Sequence, residues 1–200
     1  MVIAVDKNQF IGSHGKSNAK KHKQMEKCGV VLLPIPLPFG DYCLVTDEMQ
    51  KIINEKGEKL KKKDLESVIK ISIDTKKDLQ ELFGNVRTGQ HERFKKELNK
   101  PIDNNSKLII LCEHSSDVTC MEDVYFFYQP EIERIKWTTK KICGKQVKVS
   151  EKYMQKEMKG ISLFRSLQTI QDRYNVEFVF CNKNETGKKI IEILGGTYDS

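Results

Sequence analysis

Two hundred residues, 38% of them hydrophobic, suffice for one large globular unit with a real core. The longest apolar runs, Val30–Leu33 and Leu108–Leu111, fall far short of the ~20 residues that a membrane-spanning helix needs, and the opening MVIAVDKNQF interrupts the apolar stretch of a secretion signal. A formal charge of +7, from 35 Lys and Arg against 28 Asp and Glu, suits a polyanionic partner.

Along the chain, short segments rich in Val, Ile, Leu or Phe alternate with charged stretches of helical period. Val2–Val5, Val30–Ile35, Cys43–Val45, Ile69–Ile73, Leu108–Leu111 and Phe178–Phe180 read as strands. Helices are predicted at about 17–28, 77–99, 160–174 and 185–194; the third carries Ile161, Phe164, Leu167, Ile170 and Tyr174 at three-to-four spacing, an amphipathic stripe. This alternation predicts an α/β layer structure in a single domain spanning 1–200, with a central sheet covered by helices.

Two stretches break the rhythm. Residues 47–70 hold seven lysines and six acids with few large apolar side chains, and read as an exposed excursion, a hairpin or helical arm, whose Lys59, Lys61, Lys62 and Lys63 are available to DNA. Residues 131–159 are also strongly basic; Trp137 beside Lys136, Lys140 and Lys141 suggests base stacking with phosphate contacts, or a local packing anchor. A further basic cluster, His14, Lys16, Lys20, Lys21, His22 and Lys23, follows soon after Asp6. The six cysteines lack CxxC spacing and the histidines lack zinc-ligand spacing, so reduced thiols are expected and a zinc site is not.

Chemistry is concentrated in two short motifs. Gly40-Asp41 follows a proline-punctuated strand, and Asp74-Thr75-Lys76 ends another; in a strand Asp74 and Lys76 share a face and Thr75 takes the opposite one. Two carboxylates with a nearby lysine are what a metal-dependent phosphodiesterase requires: oxygen ligands for Mg²⁺ and a cation to balance charge developing on phosphorus. Turn residues at strand ends read the same way. Glu113 and His114, closing the strand KLIILCEH, are placed to emerge at the same sheet edge, Glu113 as a further metal ligand or as a hydrogen-bonded strand-end carboxylate. His91 reads as a helix-surface residue.

With GDY, IDTKKDLQEL, QHERFKKEL, KLIILCEH and RYNVEFVFCNKNETGKKIIEIL, most of the chain resembles the XPF-type (excision-repair) nuclease domain of the PD-(D/E)xK superfamily, in the form found in small phage and mobile-element proteins. The resemblance implies a restriction-endonuclease-like core with a central mixed sheet. It also implies hydrolysis of branched, flap or junction DNA with Mg²⁺ or Mn²⁺, and a role in DNA repair or recombination. By position, Asp41, Asp74 and Lys76 take the catalytic roles, with Asp6 joining Asp41 and Asp74 around the metal; Glu113, from its place at the strand end, is the further candidate for that shell. Arg93-Phe94, with Glu97 a turn later, matches the family's RF helix motif, so Arg93, with Lys20, Lys21, Lys136, Lys140 and Lys141, is expected to contact DNA. No counterpart of the family's helix-hairpin-helix modules is present, so the domain is expected to find DNA by itself, as a homodimer or through a partner protein. The implied compartment is the cytoplasm of a bacterial or phage-infected cell. The sequence departs from the family where Thr75 replaces the central arginine of the triplet and Asn8-Gln9 replace Arg-Glu, which keeps open a second reading: a catalytically weak DNA-binding module with the same fold. A basic protein-interaction domain is the third reading, and it predicts neither metal binding nor salt-dependent DNA affinity.

Overall fold

A computed structural model describes residues 1–10, 12–87, 91–114, 117–142 and 144–196, and the side chains of these residues except 12–17, 91 and 142. The sequence-predicted roles of His14, Lys16 and His91 therefore lie outside the described residues. Six strands form the central sheet: β1 (Val2–Asp6), β2 (Val31–Ile35), β3 (Tyr42–Leu44), β4 (Ile71–Lys76), β5 (Lys107–His114) and, numbered in chain order, β10 (Val176–Asn182). Their order is β10-β5-β4-β3-β1-β2, and β3 is the one strand running against the others. The sheet is mixed and flanked by helices, as the alternation predicts. No described helix is long and apolar enough to cross a membrane.

Side-chain alternation assigns the helices to faces. Ile3, Val5, Tyr42, Ile73, Ile109 and Leu111 pack on one side against Met25 of α1 (Gly12–Lys27) and Ile190 and Ile191 of α7 (Thr186–Ile193). On the other side Leu108, Ile110 and Cys112 meet α3 (Leu79–Val86), α4 (His91–Asp103) and α6 (Gly160–Tyr174). The predicted 77–99 helix is thus two helices, the first starting where Asp78 caps the backbone N–H of Glu81 at 2.8 Å.

The 47–70 segment corrects the sequence reading. Its residues form α2 (Asp47–Lys56) and two short 3₁₀ turns, and Met49, Leu65, Val68 and Ile69 are buried against Ala4, Leu37, Phe39 and Cys43. Ala4 pairs with Cys43 and Cys43 with Ser72, which pairs in turn with Leu108, so this block covers the same sheet face as α3, α4 and α6, over the strands they do not reach. A few apolar side chains at the right spacing anchor a segment whose overall composition is that of a solvated arm.

The 131–159 stretch does project. After α5 (Met121–Phe126), β6 (Tyr128–Gln129) pairs with β9 (Met158–Lys159), and between them β7 (Ile132–Ile142) and β8 (Lys145–Gln155) form an antiparallel ribbon that is exposed almost throughout. Gly160 closes the neck: its N–H donates to the Phe127 carbonyl at 2.7 Å, and a Cβ there would lie 2.0 Å from the Val124 carbonyl oxygen.

Candidate active site

The carboxyl ends of β1, β4, β5 and β10 share one edge of the sheet with the start of β3, the edge at which open α/β sheets bind ligands. A cleft of about 1210 Å³ opens there, lined by Asp41, Asp74, Thr75, Lys76, Glu113 and His114 among others. The turn before β3 brings the two motifs together. Gly40 has φ +67, and a Cβ on it would stand 3.0 Å from both the Ile73 carbonyl oxygen and Ser72 Cβ, so only glycine permits this approach to β4. The β3–β4 register pairs Tyr42 with Ile73, and one step further sets Asp41 opposite Asp74, which cancels their distance in sequence.

Asp41 is held on every side. Its Oδ1 accepts from Gln9 Nε2 at 2.6 Å, and Gln9 is itself fixed by the Asn18 amide. Its Oδ2 accepts from the Thr75 N–H at 2.9 Å and from Thr75 Oγ1 at 2.6 Å. Thr75 therefore does not simply face away, as strand alternation predicts; at the strand end its hydroxyl clasps Asp41. Burial, then the Asp74 charge, raise the Asp41 pKa to about 6 against these hydrogen bonds and Lys76. Lys76, 7% exposed, donates from Nζ to Asp74 Oδ2 at 2.7 Å and stands 5.9 Å above the Phe94 ring. Burial disfavours its charge, but Asp74, Asp41 and Glu81 outweigh burial and hold its pKa above the ordinary lysine value. Lys76 is consequently a fixed cation, suited to charge stabilisation and unsuited to taking a proton from water.

Other predicted residues fall elsewhere. The β1–β3 register sets Asp6 opposite Asp41, yet its carboxylate turns out of the cleft: it accepts from the N–H groups of Asn8 (2.9 Å) and Leu37 (3.2 Å) and pairs with Lys62 at 3.4 Å. Three adjacent carboxylates would repel, and Asp6 spends its charge on the loop after β2. Glu113 reaches the cleft but is tied to Lys21. For Glu113 that pairing agrees with the second of its two readings, a hydrogen-bonded strand-end carboxylate; for Lys21 it is a correction, since Lys21 is only 6% exposed and is an internal ion-pair partner where a surface phosphate contact was expected. Among the described residues no three His, Cys, Asp or Glu side chains gather into a metal cage. Asp41 and Asp74 remain, and this donor set fits one Mg²⁺ or Mn²⁺, because such ions take one or two carboxylates and complete their shell with water and phosphate oxygens.

Arg93 lies on the exposed face of α4, paired with Glu97 at 3.4 Å, while its neighbour Phe94 is 1% exposed and packs under Lys76. Lys20 is exposed and donates to Asn184 Oδ1 at 2.7 Å. Lys136, Lys140 and Lys141 are exposed on β7, with Lys136 and Lys140 on one face and Lys141 and Trp137 on the other. Sequence reading missed Gln9, Asn18 and Thr75 as clasps for Asp41, because only the folded register brings them there. It also missed Arg134, Tyr153 and Gln155, which carry the ribbon's inner face to the cleft wall. His114 lines the cleft as well; burial lowers its pKa despite Asp117 and Asp78, and its buried Nε2 has no hydrogen-bond partner among the described residues.

A mixed sheet with these helix layers, and a cleft holding Asp41 and Asp74 at its carboxyl edge, is a restriction-endonuclease-like fold. More particularly, it is XPF-like. Solved structures described as XPF from Aeropyrum pernix, and as the same protein in complex with DNA, match with TM-scores of 0.50 and 0.51 at 13% and 14% identity, over 97% and 96% of this chain. The chain spans 63% and 62% of the length of those two proteins. Neither a family model nor a curated protein matches the sequence.

Proposed function

We propose that this cleft hydrolyses phosphodiester bonds in branched or flap DNA. The observation that carries the reading is the Gly40 turn, which sets Asp41 beside Asp74 and leaves the cation of Lys76 next to both. The A. pernix complex with DNA supports the choice of polymer. Asp41 and Asp74 would hold a Mg²⁺ or Mn²⁺ ion, which polarises the phosphodiester and lowers the pKa of water. Gln9 and Thr75 fix the Asp41 carboxylate so that it need not reorganise, and Phe94 and Asp74 fix Lys76 where negative charge grows on the phosphate oxygens. The basic ribbon and Lys183 at the cleft rim draw the phosphate backbone toward the acids.

One observation favours the second reading, a DNA-binding module with little catalysis: both Asp41 oxygens already accept hydrogen bonds, and Gln9 brings a neutral amide where the resemblance implies a carboxylate. Labelled linear, flap, splayed and four-way DNA incubated with Mg²⁺ or Mn²⁺ separates the two. Cleavage of the branched substrates is the expected result. Tight binding of all four with no cleavage under either ion would establish the second reading.

A further inference from the structure

The β7–β8 ribbon adds nothing to the core, and a two-stranded ribbon by itself is marginal in water, so its reason for existing lies outside the fold. Eleven residues per strand carry it about 35 Å from the clamped neck. Its two faces differ. The inner face ends in Arg134, Tyr153 and Gln155 at the wall of the cleft. The reverse face presents Ile135, Trp137 and Met154, which are 58%, 67% and 53% exposed. Directly opposite Trp137 is Ser150, too small to cover an indole, and the neighbouring pairs on that face contribute Lys152, which Glu133 on the same face pairs at 2.9 Å, and Lys148, with Lys141 one pair further. An uncovered aromatic ring between lysines is complementary to a flat base flanked by phosphates. A protein partner matched to the apolar side chains alone would leave Lys148 and Lys141 without an anion, Lys152 being already paired with Glu133.

We propose that this reverse face is a platform for single-stranded DNA, with Trp137 stacked on an unpaired base and Lys141, Lys148 and Lys152 against the phosphates on either side. The proposal rests on the reading of DNA as the partner and adds a division of labour: the scissile strand lies on the cleft side of the ribbon and the displaced strand on the other. A duplex keeps its base faces covered by stacking and cannot use the indole in this way.

Trp137 is the only tryptophan in the chain, so its emission reports on this face directly. The intact protein is titrated with oligo(dT) and with duplex of equal length at one fixed salt concentration. Oligo(dT) is expected to quench the emission and duplex to leave it nearly unchanged. Trp137→Ala should weaken oligo(dT) binding, read by anisotropy, by roughly 5- to 100-fold. Trp137→Phe, which keeps a ring, should retain most of the affinity. Equal quenching by duplex, or unchanged emission with oligo(dT) while duplex is bound and cut, would overturn the platform and leave the nuclease reading standing. A concentration-dependent emission shift without DNA would overturn it in favour of a second copy of the chain on this face. Failure to bind either nucleic acid would overturn both readings.

Discussion

Replacing Lys21 by methionine separates an internal ion pair from a DNA contact. Lys21 and Glu113 have side-chain exposures of 6% and 14%, and they tie α1 to the end of β5 beside the cleft. Removing one member of a buried pair costs about 3–5 kcal/mol, because the other charge is left in a poor solvent. The residual exposure of Glu113 places the Lys21→Met variant near the lower end, about 3 kcal/mol. At about 2–4 °C per kcal/mol for a chain of this size, melting should fall by about 6–12 °C. Glu113→Gln in the same chain removes the stranded charge and should recover most of the loss, leaving a coupling that a double-mutant cycle measures by urea unfolding. DNA affinity of the folded Lys21→Met protein should change little. A variant as stable as wild type but strongly weakened for DNA would refute this reasoning and return Lys21 to the phosphate-binding set.

Three further outcomes follow from the same geometry. His22, buried against Phe10 and hydrogen-bonded to Tyr42 at 3.0 Å, has its pKa lowered to about 4 by burial and by Lys21. Its folded-state pKa is below the unfolded value of 6.5, so its contribution is complete above pH 6.5 and is lost as the pH falls through about 4, amounting to at most about 3 kcal/mol; His22→Phe should flatten urea stability over that window. Gly40→Ala, forced to φ +67 and against Ile73 and Ser72, should lose about 1–3 kcal/mol by urea unfolding, and calorimetry should show Mn²⁺ binding weakened as Asp41 moves. The plot of log affinity for DNA against log salt should be steeply negative, and a slope near zero would remove phosphate contacts as the main attraction.

How far the sequence can be read depends on the kind of information involved. Alternation and three-to-four spacing place all six sheet strands and the α1, α6 and α7 helices, because apolar periodicity is local. GD and DTK contribute the central pair of the cleft, but on those residues alone a turn reading stands beside the catalytic one, and it is the resemblance to the XPF-type nuclease domain that singles the pair out. Average composition fails for 47–70, where Met49, Leu65, Val68 and Ile69 suffice to seat a mostly charged segment. Side-chain pairing fails as well. Nothing local in the sequence shows that Asp6 bends toward Leu37, that Lys21 meets Glu113, or that Gln9 and Thr75 both grip Asp41; these are contacts across 31, 92, 32 and 34 positions. Thr75 illustrates the consequence. Read as a lost arginine, it suggests that Thr75→Arg would preserve or raise activity; holding Asp41 by its hydroxyl, it implies that the same change would loosen the Asp41 carboxylate.

The most direct test of the acidic pair is single-turnover cleavage of a flap substrate by wild type and Asp74→Asn, at saturating protein in Mn²⁺, with DNA binding measured alongside. Loss of a charge that the reaction needs should slow cleavage by at least about 100-fold, while DNA binds as well or better because less negative charge faces its phosphates. Cleavage by Asp74→Asn at the wild-type rate would contradict the assignment and place the chemistry elsewhere.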